Sequence, residues 1–417
     1  MDESKLITYK EMLAAIDGQE NNLLIANGFN YGLGVHTGYS DIFKKMLKSN
    51  YGIYAEATSI IEACNYDLEL FLNKITEDIA DSNSFLKKYV CNKIKLDFMQ
   101  ALHDIVKSKI KNIYEEKNEG IYILLKQFTN YFTLNYDSFL YMLLLKYKSV
   151  GNENNAISFE PTIKFIGSDL DDRQNAIYSE IKKARETGGL EITIEDNSST
   201  KKAMCLLPKT QFISIIKTYC KDKGKDWDSK SIEKVVNKIL EDEKRNQILN
   251  HVDDGSKKLS LFEDDFVFET NSITQNLFFL HGAFHIYKDG KKIKKITQDK
   301  DKALYEKLEE LLNTEEKEIV CIFQSTNKME VIQQNEYLVH CYEKLETLSG
   351  NMVIIGSSLA ENDNHIFEKI NSSKIDTIYI TAMKKEIEKN YSIAKGLFPD
   401  KNIFMINTDS ISYEMPQ

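Results

Sequence analysis

Proline is almost missing from this chain, with 4 in 417 residues, and there is a single Trp. No low-complexity tract and no internal repeat occurs. Cysteine is sparse as well. Cys64, Cys91, Cys205, Cys220, Cys321 and Cys341 are scattered and no two form a Cys-x-x-Cys pair, which leaves neither zinc-ribbon spacing nor a disulfide framework. No run of about 18 apolar residues exists, so no membrane span is expected. With no recognisable leader at the N-terminus, the expectation is a cytoplasmic chain with reduced thiols. Positive charge is in deficit, the net charge being -10. That argues against broad affinity for nucleic acid or anionic membranes, although Lys291 to Lys295 could make a local basic patch.

What is present is ordinary globular material, 42% hydrophobic and 28% charged, enough for two or three structural units. Tyr9, Met12, Leu13 and Ile16 recur at helical spacing. Residues 51–128 carry several further helical stripes, among them Leu68, Leu70, Leu72 and Ile75, then Leu96, Phe98, Leu102 and Ile105. Short apolar runs alternate with the helical patterns: residues 22–25, 131–134, 277–286, 319–323, 352–355, 377–380 and 403–406. Short apolar strands alternating with helices imply an α/β fold with a Rossmann-like parallel sheet covered on both faces. The stretch 150–270 breaks this rhythm. It is charged and turn-rich, with helical stripes at Phe212, Ile213, Ile215 and Ile216 and at Ile232, Val235, Val236 and Ile239, and reads as a helical insertion. The predicted division is 1–149, first half of the core; 150–270, insertion; 271–417, second half.

The chemistry sits where strands end. After the first run come Ala26, Asn27, Gly28 and Phe29, followed by Gly32 and Gly34. Small residues there let backbone N–H groups face a phosphate, or make a plain strand-to-loop turn. Ser40 and Asp41 could cap a helix over 42–47. Asn135 and Asp137 end the second run. They could orient a ribose and a water, or could cap the helix from Phe139. Leu280, His281 and Gly282 interrupt a third run. His281 could titrate near neutrality or be a satisfied core residue, and His285 would share its face on a continuous strand. Gly356, Ser357 and Ser358, with Asp363 beyond them, could cradle a ribose or phosphate or simply cap a helix. His36, near the first loop, is a further ligand candidate but reads better as a surface residue.

In this order the four motifs, 26–29, 133–137, 280–282 and 356–359, resemble the sirtuin-like superfamily. The likeness is greatest to its bacterial defence-associated branch and more distant to AbiH-type abortive-infection proteins. It spans the core from about residue 21 to about 410 and leaves out 150–270. The resemblance implies NAD+ as substrate and no metal. It implies His281, Asn135 and Asp137 as catalytic residues, with Ala26, Asn27, Gly28, Phe29, Gly356, Ser357, Ser358 and Asp363 holding the dinucleotide. The four-cysteine zinc module of protein-deacylating sirtuins is absent and residues 26–50 contain no Arg, which points away from peptide deacylation. The implied activity is NAD+ hydrolysis, releasing nicotinamide and ADP-ribose, in an anti-phage or abortive-infection effector. Its implied partner is a second copy of the chain or a phage-derived or defence protein, with neither membrane nor nucleic acid. An NAD or ADP-ribose sensor, or an assembly protein on the same fold, is the alternative. His281 as general base would have to be neutral, so activity is expected to fall on acidification through its pKa.

Overall fold

The computed structural model describes residues 3–48, 52–80, 82–115, 119–149, 252–258, 266–268, 275–296, 304–314, 317–323 and 327–413, with scattered positions between 217 and 235. The chain divides into two compact units, Met1–Lys148 with Val252–Gln417, and Ser149–His251. In the second unit, Ile232 and Val235 are buried, as a helical stripe requires. The stripe 212–216, Val236 and Ile239 lie outside the described residues.

The first unit is built on seven strands: β1 (Leu6–Ile7), β2 (Asn21–Ile25), β3 (Asn130–Thr133), β6 (Leu277–Phe279), β10 (Ser349–Ile355), β11 (Lys374–Ala382) and β12 (Asn402–Asn407). They lie in the order β1-β12-β11-β10-β2-β3-β6, and every neighbouring pair is parallel. Helices flank the sheet, giving the α/β, Rossmann-like fold. Leu23, Leu24, Ile25, Val353, Ile354, Ile378 and Ile380 are fully buried. A strand covered on both faces has no polar side to alternate with, which is why these strands read as unbroken apolar runs. Two polar residues at the start of β2 escape that rule because their amides are occupied. Asn21 donates to the carbonyls of Ile16 and Gln127, and Asn22 to those of Ser349 and Asn351.

The helices follow their sequence signals. Tyr9–Ile16 opens with a capping box between Thr8 and Glu11, which satisfies two otherwise orphaned backbone N–H groups. Tyr39–Lys48 begins three residues earlier than expected, so Ser40 and Asp41 lie inside its first turn rather than capping it. Its Phe43 packs edge-on against Phe71 and Phe98, ring centroids 5.6 and 5.5 Å away, tying it to the helices Leu68–Thr76 and Ser84–Glu115.

A second sheet departs from the expectation. β4 (Ser256–Lys258), β5 (Phe266–Phe268), β7 (Gly282–Asp289), β8 (Lys292–Lys295) and β9 (Lys317–Cys321) are antiparallel, in the order β4-β5-β8-β7-β9. The run 319–323 therefore joins this sheet rather than the parallel one. β4 and β5 belong to the first unit, so the second unit ends at His251 and not at 270. Nor is 277–286 one strand. Gly282 has φ +73, and a Cβ there would lie 2.0 Å from the Val320 carbonyl oxygen. Only glycine fits that close approach, and the chain turns there from one sheet into the other. His281 and His285 consequently do not share a strand face.

Candidate functional site

The chain reverses its direction of progress across the parallel sheet between β2 and β10. From β2 it proceeds to β3 and β6 on one side, while β10 leads to β11 and β12 on the other. Connections diverge at such a switch point and leave a crevice beyond the carboxyl ends of the strands. Register lines up the strand ends that border it. Ile25 pairs with both Ile355 and Thr133, and Thr133 with Phe279. Two residues beyond these strand ends in sequence stand Asn27, Asn135, His281 and Ser357, each lining the same crevice.

A cleft of about 270 Å³ occupies this crevice. Ala26, Asn27, Asn135, Asp137, His281, Gly356, Ser357, Ser358 and Asp363 all line it, together with Thr37, Tyr39, Tyr136, Asn362 and Lys328. Four segments far apart in sequence thus meet in one concavity. Gly28 and Phe29 do not line it. The Gly28 N–H donates to the Gly356 carbonyl at 2.9 Å, and a Cβ on Gly28 would meet the Gly356 Cα at 2.6 Å. Gly28 is therefore a packing glycine between two strand ends rather than a phosphate cradle. Phe29 is a core residue, edge-on to Tyr413. Gly32 faces the Tyr413 ring and Gly34 faces open space. His36 is exposed and lies against Tyr31.

His281 is 1% exposed, and its Nε2 has no hydrogen-bond partner. That atom lies 3.6 Å from Oδ1 of Asp363, too long for a hydrogen bond. Burial pushes the imidazole down to about 3, the Lys328 ammonium adds to this, and Asp363 and the Leu134 backbone oppose it. The ring is therefore neutral, and its contact with Asp363 is not an ion pair. Asn135 is 8% exposed, and its Nδ2 is likewise buried without a partner. A buried polar atom left unpaired costs about 1–3 kcal/mol. Two of them lining one cleft mark places where a ligand or water completes the bonding.

Asp137 caps a helix and also lines the cleft. Its Oδ1 accepts the Phe139 N–H at 2.8 Å, starting the helix Phe139–Ser149. Its Oδ2 accepts from the Asn30 amide at 2.9 Å. Burial raises the carboxyl to about 6 against the pull of those two donors. The same Asn30 amide donates to the Thr37 hydroxyl, which donates to Oδ1 of Asn27. This chain fixes Asn27 relative to Asp137. Ser357 accepts the Leu359 N–H through its hydroxyl in a local turn while also lining the cleft; it caps no helix, the next helical turn beginning at Glu361 after Ala360. Lys328 donates to Oδ1 of Asp363 at 2.6 Å. Asn30, Thr37 and Lys328 were not singled out in the sequence. Asn30 could have been noticed as a polar residue inside an otherwise apolar helical turn, whereas Lys328 carries no local signal.

His285 lies elsewhere. It lines a smaller cavity of about 50 Å³ behind Tyr136 and Asp137, its ring stacked on Tyr141 and edge-on to Phe279. Among the described residues no cluster of three or more His, Cys, Asp or Glu could hold a metal ion. Nor is any described helix long and apolar enough to cross a membrane.

Residues 232–402 match the family model of a domain of unknown function, DUF4917. The matched stretch carries His281, Lys328, Gly356, Ser357, Ser358 and Asp363 but not the Asn27 and Asn135 side of the cleft. A comparison with curated proteins finds no match.

Proposed function

We propose that the cleft binds NAD+ and hydrolyses its nicotinamide–ribose bond, in an effector of anti-phage or abortive-infection defence. The observation that carries this reading is the pair of unpartnered buried atoms, His281 Nε2 and Asn135 Nδ2, in one cleft at the switch point of a parallel sheet. Leaving of nicotinamide builds positive charge on the ribose carbon. Asp137, ionised above about pH 6, stabilises that charge. Asn135 positions a water, and neutral His281 takes up its proton or that of a ribose hydroxyl.

His281→Ala and Asn135→Ala should each lower nicotinamide release at least about 100-fold, the lower end for a general-base contribution, with unchanged melting behaviour. Undiminished release by purified His281→Ala protein would remove the assignment. The acid limb of the rate should lie near pH 6, where Asp137 takes up a proton. It should not follow His281, which stays neutral to about pH 3. Toxicity on expression, lost in Asn135→Ala, tests the defence role.

One observation favours a second reading, an NAD or ADP-ribose sensor without turnover. A histidine held near 3 is a weak base, and general bases work best with a pKa near the operating pH. Ligand-dependent melting with no free nicotinamide would select the sensor.

A further inference from the structure

The cleft has an electrostatic problem if a dinucleotide is to enter it. Its lining carries two carboxylates, Asp137 and Asp363, and among the described residues one cation, Lys328. A pyrophosphate brings further negative charge into surroundings of low dielectric, where repulsion is poorly screened. We infer that Lys328 is the phosphate-recognising cation of the cleft, held in position by Asp363. This rests on reading the cleft as a dinucleotide site.

Lys328 opens the helix Lys328–Gln333, immediately after Asn327, whose φ is +56. It is 7% exposed. An ammonium has three N–H donors. One goes to Asp363, and among the described residues the other two have no acceptor. The Asp363 carboxylate is bonded to Lys328 and lies near His281 as well, so the charge of the lysine is anchored beside the imidazole. The backbone N–H groups of Ser357 and Ser358, on the same lining, also make no hydrogen bond among the described residues. An ammonium with spare donors and two free amides in one cleft suit phosphate oxygens, which accept charge-assisted hydrogen bonds. A neutral nucleoside would leave the ammonium donors unmet.

The test is calorimetric binding of two probes, ADP-ribose and adenosine, to the full chain. Lys328→Met leaves the half-buried Asp363 carboxylate without its partner and can fail to fold. The double variant Lys328→Met/Asp363→Asn removes both charges and keeps the question answerable. Lys328→Arg keeps the cation. The expected result is an affinity for ADP-ribose at least about tenfold weaker in the double variant, the size of a lost hydrogen bond to a charged group. Adenosine should be unaffected, and Lys328→Arg should retain most of the ADP-ribose affinity. If wild-type protein binds ADP-ribose and the double variant binds it equally well, or loses adenosine to the same degree, Lys328 does not read phosphate. If wild-type protein binds neither probe, the dinucleotide reading itself falls.

Discussion

Alanine at Gly356 should destabilise the first unit more than any other substitution considered. Gly356 closes β10 with φ +76, and a Cβ there would lie 2.1 Å from the Phe29 nitrogen and 2.5 Å from the Gly28 carbonyl carbon. Both are backbone atoms, and the Gly28 N–H is already bonded to the Gly356 carbonyl. No rotamer change can relieve the contact. β2 and β10 would have to separate in the middle of the sheet. Left-handed strain alone costs about 1–2 kcal/mol, and a backbone clash in the core takes the total above about 4 kcal/mol, among the largest single-residue effects. That is a large fraction of the roughly 5–15 kcal/mol by which a domain is stable. Gly34→Ala is the control. Its φ is +72 but nothing lies within 4 Å of the new Cβ, so it bears the conformational strain alone. Urea denaturation separates the two. A Gly356→Ala protein as stable as Gly34→Ala would mean that the strand ends can part, and the tight seam between β2 and β10 would be discarded.

That seam shows what could and could not be read in advance. Gly28 and Gly356 were visible as strand-end glycines, and from one segment at a time each looked like a cradle for phosphate. Their actual relation, one packed on the other, belongs to pairing between residues more than 300 apart. The strands β2, β3, β10, β11 and β12 were legible because double burial writes itself as apolar runs. The second sheet was not, because β4 is Ser256–Lys258 and β8 is Lys292–Lys295. Such polar segments carry no apolar run to mark them and become strands through their pairing, β8 with β7 across the turn at Gly290 and β4 with β5. The same distinction governs the cleft. Asn27, Asn135, His281 and Ser357 each stand two residues past the paired end of a strand. Lys328 reaches the cleft from a helix outside the sheet and is not marked by its neighbours in sequence, while Asn30 acts through its bonds to Thr37 and Asp137, a role its place in the helical turn does not disclose.

Acidification should destabilise the fold between about pH 6 and 4.5. Burial holds His281 down to about 3 and His285 to about 4, against 6.5 in an unfolded chain. In this window the unfolded chain binds two protons at these sites that the folded chain refuses, so stability falls as pH falls. Asp137 works in the opposite sense. Its folded value of about 6 lies above the model value of 3.8, so between them the folded state holds a proton that the unfolded state lacks. Over these three groups the balance is one proton, a slope of about 1.4 kcal/mol per pH unit; His103 and His340, also lowered by burial, act in the same sense as His281. His365, also lowered to about 4 by burial but partly reached by solvent, adds at most one more, for about 2.7 kcal/mol per unit. Each contribution can be removed singly. His285→Phe keeps a ring between Tyr141 and Phe279 and should lower the slope by one proton, whereas Asp137→Asn should steepen it by one. Urea titrations at several pH values measure the slope directly. Stability independent of pH across the window, or a shallower slope in Asp137→Asn, would mean that these groups titrate in the folded protein as they do in water, and the dry, neutral imidazole at residue 281 would have to be abandoned.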